Sequence, residues 1–226
     1  MATFLNLVND VERESGTISQ EQRLTTVASP TGRQEKIVEH VKEAWRLIQT
    51  SRSFWSWRRV EFSQALTIGQ KRYGKSWVTA DNVSRFIQDM PGFSPFSVYD
   101  SDVGQGDEQE LCYLPYHRWR STFDRRSPDN QRPGYYSISN AGELCIGAPP
   151  DKAYVLRGEY IRTAQILSAD DDEPICPEDF HQAIVWRALM LLHGHDEGQF
   201  SLGDSATKFA AIFRDMVNAE PDDIII

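Results

Sequence analysis

Long apolar runs are missing from this chain of 226 residues, and no stretch is apolar enough to span a membrane. The opening MATFLNLVNDVERES is interrupted by Asn, Asp and Glu, so it offers no signal-peptide core. The expectation is a protein made in the cytoplasm, with no membrane partner. Cysteine is scarce: Cys112, Cys145 and Cys176 are odd in number, widely spaced and without a CxxC pair. That excludes a disulfide framework or a zinc-finger frame and suits reduced, partly buried thiols. An excess of basic charge is also absent. Lys and Arg number 24 against 33 Asp and Glu, a formal charge of -9, which argues against sequence-specific DNA binding by the free protein. Internal repeats and low-complexity segments are lacking. With 40% hydrophobic and 25% charged residues, the remaining composition is that of a soluble globular protein able to bury a sizeable core.

Catalytic frames are missing as well. No Ser sits in a GxSxG elbow, no glycine loop could cradle phosphates, and no pair of carboxylates stands out. His193-Gly194-His195-Asp196-Glu197 could supply divalent-metal ligands, and a metal-dependent enzyme using His193, His195 and Asp196 is the alternative reading. The run lies where a helix should end, however. Histidine is favoured there by the helix dipole, and glycine is the usual terminator. Asp170-Asp171-Asp172-Glu173 lacks the alternating ligands and sixth-position Gly of a calcium loop, so it reads as a solvated turn. Trp55, Trp57, Arg58 and Arg59 mix rings and cations in the manner of a stacking-and-phosphate surface, and Arg125-Arg126 could join them only through the fold. The plainer reading is a helix-to-strand junction anchored by tryptophan. The expectation is a non-enzymatic protein without cofactor, metal or catalytic residues.

What the sequence contains is a change of texture. Phe4, Leu7, Val8 and Val11 predict a helix over 3–14, and Ile37, Val38, Val41, Ala44, Trp45 and Ile48 predict a second running to about Arg52, with Thr31 as its N-cap. From Phe54 the stripes stop. Short strands are expected over 59–67, 69–77, 93–99 and 109–113, with a strand or helical turn at 81–87 and a turn or two of helix at 116–123. Residues 135–146 form the best hairpin, turning at Asn140-Ala141-Gly142, and 154–163 form a long strand with Tyr154, Leu156 and Tyr160 on one face. Helices return after Pro177, with Phe180, Ile184, Ala188 and Leu191 along one side, and again after Asp204 or Ser205. The fold class is therefore α+β: a helical bundle from 1–56 and 174–220, a β-rich, sandwich-like insertion over 57–173, and a C-terminal tail at 221–226.

Several pieces taken in order carry a resemblance: VKEAWRLIQTSRSFWSW, RPGYYSISNAGEL, APPDKAYVLRGEYIR, ILSADDDEPICPEDFHQAIVWRAL and the HDE that follows. Together they resemble the head-to-tail adaptor, or connector, proteins of tailed bacteriophages; residues 60–130 match that pattern least. The resemblance implies a structural virion protein of the neck. Its partners would be the portal protein, further copies of itself in a ring of twelve, a downstream tail, nozzle or tail-terminator protein, and double-stranded DNA passing through the lumen without specific contacts. Another tail-completion or tail-tube component is the neighbouring alternative. The tail residues Pro221, Asp222, Asp223, Ile224, Ile225 and Ile226 place three isoleucines after acidic residues, and they are read as a portal-docking segment.

Overall fold

The computed structural model describes residues 2–16, 23–79, 82–88, 94–126, 128–193 and 202–220. Two helices come first, α1 (Phe4–Ser15) and α2 (Arg33–Thr50). Strands β1 (Arg59–Ala65), β2 (Arg72–Tyr73), β3 (Val83–Phe86), β4 (Phe96–Asp100), β5 (Gln109–Glu110) and β6 (Cys112–Tyr113) follow. After the short α3 (Tyr116–Trp119) come β7 (Tyr135–Ile138), β8 (Leu144–Gly147) and β9 (Tyr154–Arg162), then α4 (His181–His193) and α5 (Leu202–Asn218). The fold is α+β, with β-rich structure set between helices. Contacts divide it into two compact units, Met1–Trp57 with Ala164–Ile226, and Arg58–Thr163.

In the helical unit the predicted stripes face one another. Phe4, Leu7, Val8 and Val11 of α1 share a core with Ile37, Val41, Trp45 and Ile48 of α2, Ile184, Ala188 and Leu192 of α4, and Met216 of α5. The first turn of α1 is capped twice. The Thr3 hydroxyl accepts from the Asn6 N–H, while the Phe4 and Leu5 N–H groups donate to the carbonyls of Asp172 and Asp170 at 2.7 and 3.1 Å. Thr31 does not cap α2. Gly32 occupies that position at φ +61° with no side-chain cap bond, because only glycine enters a helix comfortably from there.

Residues 164–173, assigned by texture to the insertion, are tied to the helices by a polar clamp. The buried Gln49 side chain donates to the Gln165 carbonyl at 2.9 Å and accepts from its N–H at 2.7 Å. The Gln165 side chain in turn accepts from the Trp45 indole at 3.2 Å. Hydrogen bonding to a buried amide is what a hydrophobic pattern leaves out.

The β unit is two sheets around one core. β9 is the spine of the first, with antiparallel β1 along one edge and β4 then β3 along the other; β5 extends β4. The second sheet runs β2-β8-β7-β6, with β6 parallel to β7. Tyr154, Leu156 and Tyr160 do share the inner face of β9, against Tyr136, Leu144 and Ile146 of the second sheet. Gly142 makes the hairpin turn at φ +77°. Segment 109–113 is not one strand: the buried Leu111 separates β5 in the first sheet from β6 in the second. Segment 69–77 contributes only two strand residues before a 3₁₀ turn at Lys75–Trp77.

Candidate functional site

The outer face of the second sheet is covered by α3 and the π-type turn that continues it, Arg120–Asp124. Trp119 and Phe123 lie four residues apart and pack down on Cys145 and Ala148. A Cβ at Gly147 would fall 2.5 Å from the Phe123 ring, so any side chain there would have to displace that ring. With its apolar side buried, the turn and the residues just after it expose His117, Arg118, Arg120, Arg125 and Arg126.

Arg72, on β2, fixes this turn from beneath. Its guanidinium donates to Asp124 at 2.9 Å, Glu143 at 3.1 Å and the Tyr116 hydroxyl at 3.3 Å, and it lies over the Trp119 ring at 5.3 Å. These acceptors, Tyr116 first, hold its proton more tightly than in an ordinary arginine. Lys71 adds a bond to the Phe123 carbonyl at 2.9 Å. The single carboxylate of the turn, Asp124, is therefore already neutralised, and Arg118, Arg120 and Arg125 have no ion-pair partner among the described residues. A cleft of about 460 Å³ opens here, lined by Tyr116, His117, Arg120, Ser121, Arg125 and Asn140.

The first sheet presents the opposite charge. Strand alternation sends Phe62, Phe96 and Leu156 inward and Glu61, Ser97, Arg157 and Glu159 outward. A cleft of 400 Å³ on this outer face is walled by Glu61, Glu108, Glu110 and Glu159, with Arg157 among them. Arg157 pairs with Glu108 at 3.2 Å, and Arg59 pairs with Glu159. Glu61 and Glu110 are exposed, without ion-pair partners among the described residues. Glu61 stands directly across from Glu159 in the ladder, and with Glu108 and Glu159 paired to arginines, the excess negative charge of the cleft rests on Glu61 and Glu110.

The residues singled out by motif scatter. His193 is the last residue of α4, whereas His195 and Asp196 lie outside the described residues, as do Pro221 to Ile226. Among the described residues, no three His, Cys, Asp or Glu side chains converge to hold a metal. The Asp170–Glu173 turn is structural. Asp170 accepts the Val27 N–H at 2.6 Å, and Asp172 accepts those of Ser168 and Ala169 at 2.5 and 2.8 Å, which hold its carboxyl below the usual range. Trp55 is buried in the helical core and stacks on Trp57, which stacks in turn on Trp45. Arg58, in the β unit, donates to the Arg162 carbonyl at 2.7 Å. Burial pushes the thiols of Cys145 and Cys176 up to about 12, so neither is a ready nucleophile.

A family model described as SU10 adaptor protein matches residues 2–223 of the chain. The chain belongs to the SU10 adaptor protein family. This is a family of phage head-tail adaptors, structural and generally non-enzymatic, so the chain is a structural phage component. No curated protein matches it. No helix among the described residues is long and apolar enough to cross a membrane. Within this SU10 adaptor the basic turn is the feature that sequence reasoning missed. Arg125-Arg126 was visible, but Arg118 and Arg120 join it through a π-type turn that no periodicity announces, and the counter-charge on Asp124 is removed by an arginine 52 residues away.

Proposed function

We propose that this SU10 adaptor binds the portal ring of the phage head, assembles there as a ring of copies, extends the DNA channel and offers a docking surface to the tail. The observation that carries the reading is the family match across 2–223, which includes both the helical and the β unit. Physical considerations support it. A ring made of identical copies needs two different, complementary faces on each. An acidic subunit repeated around a lumen repels the DNA backbone, so DNA slides without sticking. The C-terminal residues 221–226 are proposed to dock on the portal through Ile224, Ile225 and Ile226.

Particle masses of the purified protein, alone and with its cognate portal ring, test the reading. The expected result is a portal complex that saturates at many added copies. A portal whose mass does not change would overturn it and favour another tail component. Deleting 221–226 should weaken portal binding while the thermal transition is retained; undiminished binding would remove the tail from the interface.

A further inference from the structure

The two clefts lie on opposite sides of the β unit, because its sheets share one inner core and each cleft is built on an outer face. From this geometry we infer that the basic turn of one copy seats in the acidic cleft of the next. The partner of Arg118, Arg120 and Arg125 is a second copy of this chain, met through Glu61 and Glu110. The inference deepens the ring reading above by assigning the neighbour contact.

Three observations carry it. The cations of the turn are uncompensated: Asp124 is held by Arg72 at 2.9 Å, which leaves Arg118, Arg120 and Arg125 free of ion pairs among the described residues. The turn is also preorganised. Trp119 and Phe123 anchor it below and Arg72 and Lys71 bind it from the side, so association has to order the arginine side chains but not the backbone that carries them. Finally, the complementary charge exists on the same chain, in a cleft of similar size, with Glu61 and Glu110 exposed and unpaired among the described residues. Opposed faces of opposite sign cannot meet within one copy. Between copies they make a head-to-tail contact, the kind that closes into a ring when the rotation permits. Such a contact gives orientation and speed of encounter and rejects like-charged approaches. A nucleic-acid phosphate is the competing occupant of the basic turn, and the test separates the two.

Two full-length variants suffice. Arg120→Glu with Arg125→Glu makes both faces acidic; Glu61→Lys with Glu110→Lys makes both basic. Neither variant alone can form the contact, but an equimolar mixture restores complementarity at every junction of an alternating ring. Two readouts are needed: sedimentation of the free protein at low ionic strength, and the mass of portal complexes. Wild type should self-associate in a salt-sensitive manner and load the portal cooperatively. Each variant should lose roughly tenfold or more in apparent association, and the mixture should recover it. Recovery by mixing also shows that the variants are folded. If each variant assembles like wild type, or the mixture fails to recover, the pairing is wrong. Should the Arg120/Arg125 variant assemble normally but lose salt-dependent retention of duplex DNA on a filter, the turn serves phosphate and not a neighbour. Failure of wild type to load the portal would count against the adaptor reading alone, since the pairing is still decided by the sedimentation of wild type, variants and mixture.

Discussion

Single residues set local limits that a reagent or a methyl group can probe. Cys145 and Cys176 are buried, with thiols raised to about 12, whereas Cys112 is exposed. A disulfide reagent at neutral pH should therefore titrate one thiol quickly and the other two only on unfolding; three fast equivalents would contradict the burial. Gly158 is tighter still. It sits mid-strand in β9 between Phe62 and Phe96, and a Cβ there would lie 2.3 Å from the Phe96 ring. Gly158→Ala is expected to destabilise the β unit by about 1–3 kcal/mol, the usual cost of overpacking a well-filled core. Denaturant melts check this, and an unchanged midpoint would show that the ring moves aside freely. The sequence displays Gly158 plainly but not its reason, because the ring that fills its space is that of Phe96, 62 residues earlier.

Elements were legible where their periodicity was local. The stripes of α1, α2 and α4, the hairpin turning at Gly142 and the inward face of β9 all follow from spacing of 3.6 or 2. What could not be read is set by distant partners. Leu111 ends β5 because its N–H donates to Phe96 and the next residue turns to Gly134, so the chain changes sheets within an unbroken strand-like segment. The acidic turn after Ala164 belongs with the helices for a similar reason: its carbonyls receive the first N–H groups of α1. The candidate site was the least legible part, as its arginines are gathered by a π-type turn. Asp172 gives the acidic turn a measurable pH signature. Two backbone N–H bonds, from Ser168 first and then Ala169, depress its carboxyl in the folded protein. Its contribution is thus present above the ordinary carboxylate range and is lost as pH falls through the depressed native value. Asp172→Ala should cost about 1 kcal/mol at pH 7, as loss of a cap does. The difference from wild type should shrink on acidification; a gap that persists at low pH would mean that the charge is not what matters.

On the scale of the whole molecule, two cores in one chain invite separation. The β unit begins and ends on partnered strands, with Arg59 opposite Ile161. Its ends are thus already neighbours, and residues 58–163 should fold as an isolated fragment with a cooperative thermal transition and the near-ultraviolet signal of packed aromatic rings. A fragment that is unstructured by both measures would show that the β unit depends on the helices.

That pairing of first and last strands also bears on inheritance. A module that leaves and re-enters its host chain through adjacent strands can be exchanged by two crossovers, near codons 58 and 163, without changing the gap that the host must bridge. A recombining phage population could replace the proposed neighbour-contact surface while keeping the helical unit unaltered. Sequence divergence among such genes would then rise and fall in step at those two borders.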